Sequence, residues 1–174
     1  KREFDRLIIE LSWKSSAIEG NTYSLLETET LIKDNKEAKG HKKEEAIMIL
    51  NHKKAIDYIK NKKSNFKTLN LRKIENIHQL LTADMNIKKG LRNKSVGITG
   101  TNYKPLNNPH QIKEVMEKLT KKVNKIKNPI TRALILLLMI SYIQPFEDDN
   151  KRTARITANA ILLANNYCPL SYSN

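Results

Sequence analysis

The sequence is organised around one polar stretch, Gln144-Pro145-Phe146-Glu147-Asp148-Asp149-Asn150-Lys151-Arg152-Thr153-Ala154-Arg155. An apolar run, Ala133 to Ile140, precedes this stretch, and apolar residues recur at helical spacing from Ala154 to Leu162 after it. Because Pro145 disfavours a continuing helix, the first helix should end there and the polar residues should open the second. The sequence therefore predicts a polar loop held between two buried helices.

The start of the second helix has the properties of an anion site. Its first backbone N–H groups lack partners within the helix, and the helix dipole places partial positive charge there. Asn150, Lys151 and Arg152 add donors, and Arg155 follows one turn later. Asp148 supplies a hard oxygen ligand of the kind that Mg²⁺ takes when it also holds phosphates. The alternative is that these residues only cap a helix and solvate its face.

The composition predicts a single domain over residues 1–174 that is mainly α-helical. Gly and Pro number five each, and helical periods dominate the chain. The lone cysteine, Cys168, excludes an internal disulfide framework and suits a cytoplasmic protein. No signal peptide is visible, and the apolar stretch 130–143 is shorter than the roughly 20 residues that a membrane span needs.

The formal net charge of +14 raises the question of nucleic-acid binding. The lysines are spread over most predicted helices, and few aromatic residues stand between them. A surface that stacks single strands would need such aromatic residues. The charge pattern therefore disfavours nucleic acid and favours a field that attracts small anions and acidic partners.

The sequence predicts five further helices, over 4–19, 24–33, 42–60, 71–84 and 109–126. Apolar residues at helical spacing indicate four of them. The second is indicated instead by a capping box at its start, Ser24-Leu25-Leu26-Glu27. On the fourth, His78 lies on the apolar side, where a packed core histidine is a simpler interpretation than a ligand. Two short strand-like runs, 96–99 and 101–103, flank Gly100 and predict one β-hairpin.

The polar stretch resembles the signature loop of the Fic family (Fic/Doc, or Fido, domains). That loop is written His-Pro-Phe-x-Asp/Glu-Gly-Asn-Gly/Lys-Arg-x-x-Arg. The matching positions are Pro145, Phe146, Asp148, Asn150, Lys151, Arg152 and Arg155. Two positions depart from the pattern, because Gln144 stands in place of the histidine and Asp149 in place of the first glycine.

A second resemblance lies at the end of the first predicted helix. Ser15-Ser16-Ala17-Ile18-Glu19-Gly20 resembles the inhibitory motif Ser/Thr-x-x-x-Glu-Gly/Asn of many Fic proteins, in the arrangement called class II. It implies that residues 1–20 are an inhibitory helix, with Ser15 and Glu19 in the motif. In the family this glutamate pairs with the second signature arginine, here Arg155, and blocks the γ-phosphate pocket. A glutamate in a last helical turn opposes the helix dipole, so a cationic partner is expected on physical grounds as well.

The resemblance implies a Fic-type helical bundle with a β-hairpin flap over 95–105 and a signature loop over 144–155. The family reaction is AMPylation, the transfer of AMP from ATP to a Ser, Thr or Tyr hydroxyl of a protein. In the family the flap pairs with an extended segment of the target protein by strand addition. The implied docking residues are Ile98, Thr99, Gly100, Thr101 and Tyr103. Self-modification and homo-oligomers stay open.

The resemblance also assigns roles within the loop. Asp148 would hold Mg²⁺, while the helix start with Asn150 and Lys151 would form the anion hole. Arg152 and Arg155 would hold the outer phosphates. Gln144 stands where the family has its catalytic base, and a neutral amide cannot accept the proton, although it can orient a hydroxyl or a water.

Asp149 raises a separate difficulty, because its carboxylate would repel phosphates or narrow the pocket. It could also ligate metal or act as a displaced base.

Three functions stay open. The chain is an ATP-binding protein whose AMP transfer is slowed or lost, or a non-catalytic module that binds a partner through the flap. The third is an enzyme with altered chemistry, such as hydrolysis or a Doc-like phosphoryl transfer, to which Lys151 weakly points.

Overall fold

The computed structural model describes residues 2–98 and 100–172. Within these ranges the chain forms α-helices and one short 3-10 helix, Lys63–Lys67, and it contains no β-strand. The α-helices are α1 (Arg2–Ile18), α2 (Leu25–Asp34), α3 (Lys43–Asn61), α4 (Leu71–Leu81), α5 (Pro109–Val123), α6 (Pro129–Ile143) and α7 (Asn150–Ala164). The prediction of a mainly α-helical bundle is confirmed.

The helix starts follow from local side-chain chemistry. Ser24 caps α2 in the predicted capping box, with its hydroxyl accepting from the backbone of Glu27. Asn108 and Asn128 cap α5 and α6, and a proline occupies the first position of each helix. The start of α7 differs, because Asp149 directs its carboxylate to a side chain of the helix and not to the helix backbone.

Helix α7 is the centre of the fold. Every residue from Arg152 to Leu162 is buried, and the helix contacts α3, α4, α6 and the 3-10 helix. A helix buried on all sides is normally apolar throughout. The first turns of α7 break this rule, because Arg152, Thr153 and Arg155 are buried polar residues. Buried polar side chains require partners, and those partners define the site.

A second, smaller core fixes the segment that follows α1. It consists of Tyr23, Leu31, Ala46 and Ile49, between α2 and α3. Trp13 Nε1 donates to the Tyr23 carbonyl at 2.9 Å, and Asn21 Nδ2 donates to the Glu45 carbonyl at 2.9 Å. The C-terminal end of α1 is therefore held against α3 immediately after Glu19.

Helix α6 is buried on one side only, which differs from the buried helix predicted from its apolar run. Ala133, Leu136 and Ile140 face the core. The other side of the helix carries a stripe of apolar residues that are each about half exposed, namely Ile130, Leu134, Leu138 and Tyr142. A continuous apolar run does not encode which face meets a neighbour, and α6 packs chiefly against α7. Among the helices of the described ranges, none combines the length and apolarity that crossing a bilayer requires.

The β-hairpin predicted over 95–105 is wrong for the part of this segment that the structure describes, from which Thr99 is missing. The segment is irregular and turns at Gly100, where φ is +80° and the Thr101 N–H donates to the Ile98 carbonyl at 3.1 Å. Gly97 and Gly100 lose much entropy on ordering, and Pro105 offers no donor to a ladder. A single pair of such short strands is marginal in water. We call residues 95–105 the flap segment.

Two helices end earlier than predicted. α4 ends at Leu81 and not near Asp84, because Thr82 turns its hydroxyl back to the His78 carbonyl and Asp84 adopts a positive φ of 59°. α5 ends at Val123 and not near Ile126. The linker predicted after α3 contains the 3-10 helix, which buries Phe66.

Candidate functional site

The loop between α6 and α7 is closed by its own side chains. Gln144 ends α6 in the left-handed conformation with φ of 51°, and Pro145 prevents the helix from continuing. Asn150 Oδ1 accepts from the Phe146 N–H at 2.9 Å, and its Nδ2 donates to the Phe146 carbonyl at 3.0 Å. The amide side chain of Asn150 is therefore used within the loop, and only its backbone N–H remains for an anion at the helix start.

His78 of α4 packs against this loop and contacts two of its residues. Its ring stacks on Phe146 with centroids 4.0 Å apart, and its Nε2 lies 3.2 Å from the Asp148 carbonyl. Burial lowers the pKa of His78 to about 4, so the ring is neutral near pH 7 and Nε2–H donates to that carbonyl. The prediction of a packed core histidine is confirmed, since its side chain is fully buried.

Arg92 is a residue of this region that the sequence did not indicate. Its side chain is buried, and its guanidinium donates to the carbonyls of Gln144 at 2.5 Å, Lys94 at 2.8 Å and Leu106 at 2.5 Å. Burial lowers its pKa, although an arginine remains charged at neutral pH. No helical or strand periodicity surrounds Arg92, so no pattern could have singled it out.

Arg155 joins the N-terminal motif to the signature loop. Its Nε donates to Ser15 Oγ at 2.9 Å, and its Nη2 donates to the Ser15 carbonyl at 3.1 Å. The same Nη2 lies 2.6 Å from Glu19 Oε1. The Arg155 side chain is 8 % exposed and that of Glu19 is 27 % exposed. The structure thus places Glu19 against Arg155, as the resemblance implied, and adds contacts from Ser15 that were not predicted.

Arg152 is paired inside the loop with Asp149. Arg152 Nη1 lies 3.2 Å from Asp149 Oδ1, and Nη2 donates to the Met48 carbonyl at 3.1 Å. Burial raises the pKa of Asp149 to about 6, while the Arg152 charge acts to lower it. Burial has the opposite effect on Arg152, which is fully buried: it lowers the pKa of this guanidinium because it disfavours the charged form. Asp149 Oδ2 is buried with no hydrogen-bond partner in the described part of the chain, so this carboxylate is incompletely satisfied.

The backbone of Asp149 explains why a glycine would suit this position. Its φ is +64°, in the left-handed region that costs a non-glycine residue roughly 1–2 kcal/mol. The residue stands at the start of α7, where the helix dipole favours negative charge. The Asp149 carboxylate is consequently an internal anion at the point where an external one would bind.

A small cavity opens in front of the loop. Its volume is about 190 Å³, and its lining includes Glu19, Gln144, Asp148, Asp149 and Lys151 together with residues 96–98. Ordinary small-molecule sites span roughly 300–1,000 Å³, so a nucleotide needs more room than this. Four acidic residues line the cavity, and two of them, Glu19 and Asp149, each contact one of the two arginines. Their movement would both enlarge the space and release the guanidinium groups.

Asp148 fits the requirements of a magnesium ligand. It is exposed at the rim of the cavity, and its Oδ1 accepts from the Asp149 N–H at 2.6 Å. Over the described residues no group of three or more His, Cys, Asp or Glu side chains is placed to hold a metal ion. Mg²⁺ commonly takes one or two carboxylates and draws its other oxygens from substrate phosphates and water. A single carboxylate at this position agrees with that mode of binding.

The predicted docking residues lie beside the cavity. Ile98 lines it, and Gly100, Thr101 and Tyr103 line an adjacent groove, while Thr99 falls outside the described residues. The Tyr103 ring stacks on Tyr142 of α6 with centroids 4.2 Å apart. Burial, followed by a hydrogen bond with Tyr142, raises the pKa of Tyr103 to about 12. The flap segment therefore borders the site as irregular chain and not as a strand edge.

Comparisons with known proteins agree on one family. A model of the Fic/DOC family matches residues 68–162, which includes the signature loop. Two proteins named protein adenylyltransferase Fic are similar, both 27 % identical over 98 % of this chain, from Nematostella vectensis and from Aedes aegypti. The chain spans 41 % and 35 % of the length of these curated relatives.

Solved structures show the same fold. A Fic domain-containing signaling protein from Bacteroides thetaiotaomicron superposes with a TM-score of 0.88 at 24 % identity, covering 99 % of this chain and 68 % of that one. Fic-1 from C. elegans superposes with a TM-score of 0.83 at 22 % identity, covering 99 % of this chain and 52 % of that one. The seven helices described above are therefore the helices of that fold.

Proposed function

Because this chain belongs to the Fic/DOC family, we propose that it binds ATP and transfers AMP to protein hydroxyls, slowly and under autoinhibition. Glu19 is the inhibitory group, and Gln144 and Asp149 slow the reaction. In this proposal residues 1–174 are one Fic domain. It comprises an inhibitory helix over 1–20, the flap segment over 95–105 and a signature loop over 144–155.

The contact between Glu19 and Arg155 supports this proposal most directly. These residues are separated by 136 positions, yet Arg155 donates to both the carboxylate of Glu19 and the hydroxyl of Ser15. Arg155 is largely buried, and the carboxylate of Glu19 neutralises its charge. Such an arginine is an anion site that a side chain of the same protein already occupies. The displaced state would offer the same guanidinium to the γ-phosphate of ATP.

The remaining phosphates would lie at the start of α7. The backbone N–H groups of Asn150 and Lys151 point out of the helix there, and the helix dipole adds positive potential. Asp148 would hold a magnesium ion, and the bound ion would neutralise part of the phosphate charge. The net charge of +14 would raise the local concentration of an anionic nucleotide.

The chemistry requires a proton acceptor that this loop does not offer at Gln144. In AMP transfer the acceptor oxygen bonds to the α-phosphorus, the bond from that phosphorus to the bridging oxygen breaks, and pyrophosphate leaves. The hydroxyl proton must also depart, and a positioned base contributes typically about 10²–10⁴-fold. Gln144 Nε2 donates to the Ser141 carbonyl at 2.6 Å, which leaves its amide oxygen free to orient the hydroxyl without accepting its proton.

A non-catalytic module that binds a partner protein is the second candidate. The pair of Asp149 and Arg152 favours it, because an internal carboxylate already lies 3.2 Å from the arginine that the outer phosphates would use. This contact is an ion pair, since Arg152 Nη1 has no hydrogen-bond partner among the described residues. Phosphoryl transfer has weaker support, since it rests on Lys151 alone, and that side chain is exposed.

Labelled ATP separates these functions. The wild-type protein, Glu19→Gly, and Glu19→Gly combined with Gln144→His and Asp149→Gly would each be incubated with Mg²⁺, a cell lysate and ATP labelled at the α or the γ position. We expect label from the α position on protein, weak for the wild type and strong for the triple variant. Label from the γ position alone would indicate a kinase, and no label with any variant would indicate a binding module. Self-modification would be seen as label on the protein itself.

A further inference from the structure

We infer that Arg92 is a positioning residue that holds the flap segment and the signature loop as one unit. Its importance for nucleotide binding rests on the function proposed above, whereas the mechanical coupling stands on geometry alone. The flap segment forms one wall of the cavity, and the loop forms another. One side chain, that of Arg92, holds the two at a fixed distance from each other.

The contacts of Arg92 lie on two segments of the chain, the loop that contains Gln144 and the residues that flank the flap segment. On the loop side, Nε donates to the Gln144 carbonyl at 2.5 Å, and Nη2 lies 3.5 Å from the Ile143 carbonyl. The backbone N–H of Arg92 donates to the Pro145 carbonyl at 3.0 Å. On the flap side, the guanidinium reaches the residues that flank the segment, Lys94 at 2.8 Å and Leu106 at 2.5 Å.

The chemistry of arginine suits this task. The planar guanidinium carries five N–H donors in a fixed arrangement, so it can bond carbonyls in several directions at once. Arg92 is 1 % exposed, and all of its side-chain partners are carbonyl oxygens. Charge-assisted hydrogen bonds of this kind are stronger than neutral ones, and their loss would remove a donor from the buried carbonyl of Gln144. A lysine, with a compact ammonium, cannot reach both sides in the same way.

Among its described residues the flap segment has no ladder of backbone hydrogen bonds, so it depends on such an anchor. Two further contacts near it involve exposed side chains. Lys94 Nζ, on the residue before the segment, lies 3.2 Å from Glu147 Oε1, and Tyr103 stacks on the half-exposed Tyr142 of α6. Surface ion pairs contribute little. Residues 96–98 line the cavity together with Gln144, so the position of this wall follows from the carbonyls that Arg92 holds.

Hydrogen exchange on the nucleotide-free protein tests the coupling. We expect Arg92→Lys and Arg92→Met to exchange roughly tenfold faster in the flap segment and in residues 143–150 together, with Lys less affected than Met. Exchange in α2 should not change. The matched control is Arg132→Lys, because Arg132 is also buried and donates to the Lys67 carbonyl at 2.9 Å, at the opposite end of α6. If Arg92→Met does not fold, Arg92→Lys carries the test.

Acceleration in only one of the two segments, or equal acceleration in the Arg132→Lys control, would overturn the inference. ATP affinity in the Glu19→Gly background gives a separate measurement. There Arg92→Lys should weaken ATP binding several-fold, whereas Arg132→Lys should not. If Glu19→Gly binds no ATP at all, the proposed function fails, and the exchange result still decides the role of Arg92.

Discussion

The guanidinium of Arg155 lies 2.6 Å from the carboxylate of Glu19, measured from Nη2 to Oε1. One turn earlier on the same helix, Arg152 Nη1 lies 3.2 Å from Asp149 Oδ1. The two arginines of α7 thus have separate internal anions, one from α1 and one from the loop. Glu19 follows the end of a helix and is partly exposed, whereas the Asp149 side chain is 8 % exposed and its movement requires the loop to change. The two obstacles to a phosphate therefore differ in how easily they are removed.

Replacing Glu19 by Gly should strengthen ATP binding on the order of tenfold, because the charge-assisted bond that holds Arg155 is lost. Isothermal titration calorimetry with Mg²⁺ and ATP measures the change. Glu10→Gly is a control on α1, the helix that ends just before Glu19, since Glu10 forms a surface ion pair with Lys14 at 2.6 Å. Equal affinity in the wild type and in Glu19→Gly would show that Glu19 does not inhibit binding.

Replacing Gln144 by His should restore a proton acceptor, and replacing Asp149 by Gly should clear the start of α7. We expect the double variant to transfer AMP about 10²–10⁴-fold faster than the wild type, the range that a positioned base supplies. A histidine is tolerated at the left-handed φ of 51° observed at position 144. Transfer of label from α-labelled ATP gives the rate. A double variant no faster than the wild type would place the defect elsewhere.

Asp149→Gly should also destabilise the nucleotide-free protein. Removing one partner of a buried ion pair costs roughly 3–5 kcal/mol, and relief of the positive φ returns about 1–2 kcal/mol, so a net loss near 2 kcal/mol is expected. Urea unfolding measures it. Pyrophosphate should raise the stability of this variant more than that of the wild type, because Arg152 then gains an anion. Asp149→Asn, which keeps the side-chain size and tolerates the same φ, separates charge from shape. An unchanged unfolding midpoint for Asp149→Gly would contradict the pairing.

The stability of the protein should fall as the pH falls below about 6.5, in part because of His52. His52 is 2 % exposed, and burial together with the charges of Arg152 and Arg155 lowers its pKa well below the ordinary value. The unfolded chain then binds a proton that the folded protein rejects, which removes up to about 1.4 kcal/mol per pH unit. His78 acts in the same direction down to pH about 4, and Asp149 opposes both because its raised pKa lets the folded state bind a proton first.

Comparison with His52→Leu isolates this contribution. The free energy of unfolding would be measured by urea titration between about pH 7.5 and about pH 5. It should depend less steeply on pH in the variant than in the wild type. The slopes of the two proteins should differ by about one proton. Identical slopes would mean that His52 takes up a proton in the folded state.

Much of this fold could be predicted from the sequence, because local signals carry it. Apolar runs and apolar spacing, with a capping box for α2, located the seven α-helices of the described residues. The loop from Gln144 to Arg155 and the motif from Ser15 to Glu19 were visible as short runs of residues. Contact between Glu19 and Arg155 was predicted from resemblance and is present.

Other features were beyond local patterns. The apolar run in α6 did not indicate that one face would remain about half exposed, and the runs around Gly100 suggested strands that the described residues do not form. Arg92 carried no signal, since its partners are backbone carbonyls, and a carbonyl is the same in every residue.

The order of amino acids was sufficient to assign the helices, the polar loop and the family, because periodicity and short motifs are properties of neighbouring residues. The burial of the Asp149–Arg152 pair, the contacts of Arg92 and the size of the cavity arose only when distant segments packed together. Burial removes water from these groups, and without water each charge and each carbonyl must find its partner within the folded chain.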